Sequence, residues 1–190
     1  MKKHTVSIKK CILCIFLSSC SLQQYAQEFK GGVLGGITTS QIHGDGVGGF
    51  YKIGGTFGGF VQRDFSSKIS GQFELRFSQK GSGDSHGSFK IHVGYVEMPV
   101  LVKYALPNNF TLFGGLGVGV RVYESLKTPG LKVKTNDFAP IDIPFYVGAE
   151  YHLSNTLYFD VRSAYSLLPI NYKYIHWCLY ASIHVYIAHI

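Results

Sequence analysis

Apolar and polar side chains alternate along most of this chain. The clearest segment is 96–106, in which every even position is apolar and the odd positions include Glu97 and Lys103. A period of two predicts an extended strand with one apolar face and one mixed face. Similar segments lie near 30–40, 53–64, 69–80, 89–106, 110–125, 139–153, 157–168 and 174–189. Because no window beyond the N-terminal segment shows a helical period, the sequence predicts an all-β fold of eight strands.

The connections between the predicted strands alternate in length. Those after the second, fourth and sixth strands are short, as in Pro107-Asn108-Asn109. Those after the first, third and fifth strands are long and polar, at 41–52, 81–88 and 126–138. Tight turns on the periplasmic side and longer loops outside are typical of barrels in a bacterial outer membrane. The predicted fold is therefore an eight-stranded, antiparallel, up-and-down transmembrane β-barrel in the outer membrane of a Gram-negative bacterium.

The two faces of the predicted strands differ in charge. The apolar face, which we expect to meet lipid, contains no charged residue and includes Ile69, Phe73, Leu75, Phe77, Val96, Met98, Val100, Val102, Tyr104, Leu112, Leu116, Val118, Val120, Val122, Ile141, Ile143, Phe145, Val147, Leu157, Phe159, Val161, Ile175, Trp177, Leu179, Ile183, Val185 and Ile187. The opposite face contains Glu74, Arg76, Glu97, Lys103, Arg121, Asp142, Glu150, Asp160 and Arg162. Buried charges require partners, and an eight-stranded barrel is just wide enough for its own side chains. We therefore expect a structural network of paired charges that fills the interior.

The N-terminus has the pattern of an export signal. Four lysines between residues 2 and 10 precede the apolar run 11–17, which is too short to span a membrane. Cleavage after Ala26 would leave a barrel domain over 27–190. The alternative is lipoprotein processing, because Leu17-Ser18-Ser19-Cys20 resembles a lipobox; the signal would then be 1–19 and Cys20 would be lipidated.

Composition excludes some classes of function. Charged residues make up only 15% of the chain, against roughly 25% in typical soluble domains. Removing residues 1–26 removes four lysines and no acids, so the formal net charge falls from +7 to +3 and a nucleic-acid partner is not expected. One cysteine, Cys178, remains in the body of the chain, which allows no internal disulfide.

Three patterns suggest chemistry, and each has a simpler interpretation. Asp84, Ser85 and His86 would suit a small lipid-modifying enzyme, but adjacent residues in a loop do not form a catalytic triad. The run Gly114–Gly119 lacks the strand-to-helix context of a phosphate loop. Histidines 152, 176 and 184 show no metal-ligand spacing. We therefore expect no catalytic, cofactor or metal site.

The loops are the expected place for contacts with partners. Tyr51, Lys52, Lys127, Lys132 and Lys134 offer aromatic and basic groups that would suit lipid head groups or another envelope protein. The sequence thus predicts a monomeric, non-enzymatic barrel with a structural or interaction role. A narrow porin for small solutes is the main alternative.

Two segments carry a family likeness. Phe73–Gly81, with its Ser-Gln-Lys-Gly element, and Tyr95–Tyr104, with its Tyr-x-Glu-x-Pro element, resemble the PorT-like outer-membrane β-barrel family of Bacteroidota-type bacteria. The likeness covers essentially the whole mature chain. It implies an integral outer-membrane barrel without enzymatic activity.

Overall fold

A computed structural model describes residues 28–43, 52–83, 90–128, 131–133, 139–169 and 175–189. In these segments the regular structure consists of ten β-strands. They are β1 (Phe29–His43), β2 (Lys52–Asp64), β3 (Ile69–Gly83), β4 (Lys90–Ala105), β5 (Phe110–Thr128), β6 (Leu131–Val133), β7 (Ile141–Asp142), β8 (Pro144–His152), β9 (Leu157–Ser166) and β10 (Ile175–His189). Among the described residues, no helix is long and apolar enough to cross a membrane.

The strands close into a single antiparallel barrel. Each strand pairs with its neighbour in the chain, and β1 pairs with β10 to close the ring. Two short strands do not add walls. β6 folds back on the end of β5 as a hairpin, whereas β7 and β8 pair with β5 one after the other and form one wall. That wall is interrupted at Ile143, because Pro144 has no backbone N–H to donate. The barrel therefore has eight walls, which confirms the predicted fold.

The three predicted short connections lie at one end of the barrel. Two of them share one construction, in which a serine follows an apolar residue: Ser66 Oγ accepts the N–H groups of Lys68 and Ile69, at 3.3 and 3.0 Å. Ser154 Oγ accepts those of Thr156 and Leu157, at 3.2 and 3.1 Å. Such hydroxyl-capped turns are local features that a sequence can specify without help from packing.

Apolar side chains cover the outside of the barrel. Nearly all of the predicted outward residues are exposed, and Phe77, Val96, Ile143, Leu157 and Ile175 are half-buried. Val33, Ile37, Ile53, Phe57 and Val61 extend this surface over β1 and β2. Polar and aromatic side chains fill the inside, which is the reverse of a soluble protein. A soluble lipocalin-like carrier, with an apolar interior, does not fit this arrangement.

Candidate functional site: the charged interior

Arg162 lies at the centre of the interior. Its Nη1 and Nη2 atoms donate to the two carboxylate oxygens of Glu74, at 2.9 and 3.0 Å. Its Nε donates to Asp160 Oδ1 at 2.9 Å. Glu74 also lies 3.5 Å from Nη1 of Arg76. All four side chains are buried, so each charge is compensated by its neighbours, as a buried charge requires.

The same alternation of charge continues toward the long-loop end. Arg76 Nε donates to Glu97 Oε2 at 3.0 Å, and Glu97 Oε1 lies 2.5 Å from Lys80 Nζ. Lys80 Nζ in turn donates to Asp142 Oδ2 at 2.9 Å. The result is an unbroken chain of alternating acids and bases, which we call the charge ladder: Asp160, Arg162, Glu74, Arg76, Glu97, Lys80 and Asp142.

A second cluster lies toward the short-turn end. Lys103 Nζ is 2.6 Å from Glu150 Oε1 and donates to Gln62 and Gln72, at 3.0 and 2.5 Å. Gln72 also donates to Glu74 at 2.7 Å, so the amide connects this cluster to the charge ladder. Glu97 and Lys103, six residues apart on β4, thus have different partners on neighbouring strands.

Aromatic rings occupy much of the space between the ion pairs. Each buried cation faces at least one ring, with 4.4 to 5.0 Å between the charged group and the ring centroid. The pairs are Arg76 with Tyr146 and Tyr180, Lys80 with Tyr95, Lys103 with Tyr158, and Arg162 with Phe113. Rings in these positions stabilise the cations electrostatically and exclude water from the salt bridges.

The structure brings together eight of the nine predicted network residues, and places Arg121 apart from them. Arg121 lies nearer the long-loop end, is partly exposed, and pairs with Glu124. The strand register shifts between Gly94 and Tyr95 at this level, so simple alternation does not describe the end of β5. Sequence reasoning missed Lys80, although it follows Glu74, Arg76 and Ser78 on the same face of β3. It had been assigned to the last position of the strand, where side chains usually reach solvent.

The barrel opens at the short-turn end into a polar mouth of about 840 Å³. The Lys103–Glu150 pair forms its floor, and the turns contribute Ser66, Asn108, Ser154 and neighbouring polar residues to its rim. On one wall Lys30 Nζ donates to Asp64 Oδ2 at 2.7 Å. The opposite charges at this mouth are therefore largely paired with each other.

Other predicted features have varied outcomes. Asp84, Ser85, His86, Cys20, Tyr51 and Lys134 lie outside the described residues, and the side chains of Lys127 and Lys132 are likewise not described. Lys52 is not in a loop as expected: it is the first residue of β2, and its buried Nζ donates to the carbonyl of Ile53 at 2.9 Å. Cys178 is buried and free. Within the described segments, no group of three or more His, Cys, Asp or Glu side chains could hold a metal ion.

A closed barrel with an apolar outside, a charged inside and short turns at one end defines an outer-membrane β-barrel protein. The comparison with protein families agrees: residues 12–176 match the family described as outer membrane protein beta-barrel domain, and the chain belongs to that family. The protein is therefore located in the outer membrane of a Gram-negative bacterium. No curated protein sequence matches the chain.

Solved structures show the same fold at low sequence identity. Ail, the attachment invasion locus protein of Yersinia pestis, is 14% identical with a TM-score of 0.57; the match covers 84% of this chain and 99% of Ail. One of its crystal structures contains the heparin analogue sucrose octasulfate. Neisserial surface protein A is 9% identical with a TM-score of 0.55, and the match covers 84% of this chain and 97% of that one. At these identities the likeness shows the fold alone.

Proposed function

We propose that the protein is a non-enzymatic outer-membrane barrel whose interior is closed to solutes. The observation that supports this most directly is the bidentate contact between Arg162 on β9 and Glu74 on β3. These two strands are separated by three walls in either direction round the ring, so the contact crosses the barrel. The charge ladder and the aromatic rings fill the levels above and below it. A solute would have to break several buried ion pairs to pass.

With transport excluded, the surfaces left for function are the loops, the short turns and the lipid-facing outside. We propose that the barrel acts as a monomer, contacts outer-membrane lipid, and presents its loops or turns to another envelope protein. We further propose that it is a PorT-like member of its family, on the strength of the Ser-Gln-Lys-Gly and Tyr-x-Glu-x-Pro elements. Export would follow from the signal at 1–26, or from 1–19 with Cys20 lipidated.

Conductance measurements test the closed interior. The refolded protein, checked for folding by its heat-dependent shift on a gel, is reconstituted into planar bilayers next to a porin that shows insertion is efficient. We expect no stable channel of large conductance. Steady steps on the nanosiemens scale would contradict the proposal and would support passive transport of small solutes.

A further inference from the structure

One charged residue departs from the otherwise uncharged outside of the barrel. Arg63 shares the outward face of β2 with Ile53, Phe57 and Val61. Among strand residues whose side chains are described, it is the one Arg, Lys, Asp or Glu on the outward face. It is also the last outward position before the short turn at 65–68. This places the guanidinium at the level where the apolar surface ends, which is the boundary between hydrocarbon and head groups.

Two aromatic rings hold the Arg63 side chain in place. Its guanidinium carbon lies 5.9 Å from the ring centroid of Phe29 and 5.5 Å from that of Phe65. Phe29 is the residue opposite Arg63 in the β1–β2 register. Both rings are themselves exposed. Contact with aromatic rings uses the flat faces of a guanidinium and leaves the N–H groups at its edge available to a ligand.

Those N–H groups have no acceptor within the described part of the protein. Arg63 makes no hydrogen bond or ion pair there, and its interactions are the two ring contacts. The adjacent acid, Asp64, faces the mouth, where it accepts hydrogen bonds from Lys30 and Gln62 at 2.7 and 3.0 Å. An arginine at a membrane boundary without an acceptor needs an anion with two oxygens in a plane. The phosphodiester of a lipid head group supplies one at this depth.

We propose that Arg63, held between Phe29 and Phe65, binds the phosphate of a phospholipid at the short-turn end of the barrel. The inference deepens the proposed lipid contact and rests on it, but it does not depend on the closed interior. A failure here would therefore leave the conductance result unaffected.

The arginine content allows a direct test. The sequence contains four arginines, and Arg76, Arg121 and Arg162 belong to the interior face. Protein labelled with carbon-13 at the guanidinium carbon is refolded into bilayers of phosphatidylethanolamine and phosphatidylglycerol in phosphate-free buffer. Solid-state NMR then measures dephasing of the arginine signal by lipid phosphorus-31. We expect dephasing of one arginine in four, and its loss in Arg63→Gln.

A second pair of variants separates the ring clamp from general effects of the surface. Phe29→Leu with Phe65→Leu keeps Arg63 but should weaken the dephasing. Phe110→Leu alters a ring at the same end that contacts Tyr151, at 4.9 Å between centroids, and should leave the dephasing unchanged. Equal dephasing in wild type and Arg63→Gln, or none in wild type, would overturn the proposal. So would equal dephasing by inorganic phosphate in a phosphorus-free detergent, because lipid would then not be the specific ligand.

Discussion

Arg162 and Glu74 join opposite walls of the barrel through two parallel hydrogen bonds. Hairpin pairing holds each strand to its neighbours, but it does not fix the width or the cross-section of the ring. A strut across the interior does. The residues that extend it, Asp160 on one side and Arg76 on the other, keep both partners charged, so the strut resists collapse of the barrel as well as passage of solutes.

Breaking this strut on one side should destabilise the barrel strongly. Glu74→Leu leaves Arg162 buried with only one acid, and stranding a buried charge costs about 3 to 5 kcal/mol. The double variant Glu74→Leu with Arg162→Met should recover part of the loss. Denaturant unfolding in lipid vesicles measures the free energy. Lys30→Met is the control, since it breaks the more exposed Lys30–Asp64 pair and should cost less than about 1 kcal/mol. Equal losses in Glu74→Leu and Lys30→Met would contradict the strut.

The barrel was predictable from the sequence because its determinants are local. Alternation along each strand and the serines and asparagines of the short turns are set by neighbouring residues, and they gave the eight strands to within a few positions. The partners of the interior charges were not predictable. Glu74 and Arg162 are 88 residues apart, and which acid meets which base depends on the register and tilt of all eight strands. Lys80 was missed and Arg121 misplaced for the same reason, since both lie near strand ends where register shifts.

Neighbouring glycines on β1 should respond in opposite ways to the same substitution. A Cβ atom at inward-facing Gly36 would lie 2.3 Å from the carbonyl oxygen of Ala181 and 2.6 Å from the Cα of Ser182, so β1 and β10 would have to separate. A Cβ at outward-facing Gly35 meets nothing within 4 Å. We expect Gly36→Ala to lower the unfolding midpoint clearly or to prevent folding. Gly35→Ala should be neutral, or stabilise by about 0.4 to 1 kcal/mol through the unfolded chain. Similar effects in both variants would mean that the β1–β10 register is wrong.

The turn between β4 and β5 should depend on the identity of Asn109. Asn108 and Asn109 have φ angles of 62° and 64°, the left-handed pair that a tight hairpin turn requires. Asparagine tolerates this region, whereas a β-branched residue is strained there, by roughly 1 to 2 kcal/mol. Asn109→Val should therefore destabilise, and Asn109→Gly should not. Asn155→Val, in a short turn without positive φ, is the matched control and should have little effect. The heat-dependent gel shift and denaturant unfolding measure all three.

Trp177 should report the contact between the barrel and lipid. It is the chain's single tryptophan, lies on the outward face with 41% of its surface exposed, and donates from Nε1 to Ser163 Oγ at 2.9 Å. Because β10 begins at Ile175, just after the long connection 167–174, the ring should sit near a membrane boundary, where tryptophan is enriched. In vesicles of brominated lipid we expect strong quenching, greater for bromines near the head group than near the chain ends. Moving the indole inward, with Trp177→Phe and Tyr146→Trp, should abolish most of this quenching, since Tyr146 is fully buried. Equal quenching of the two proteins would show that the assignment of inside and outside is wrong.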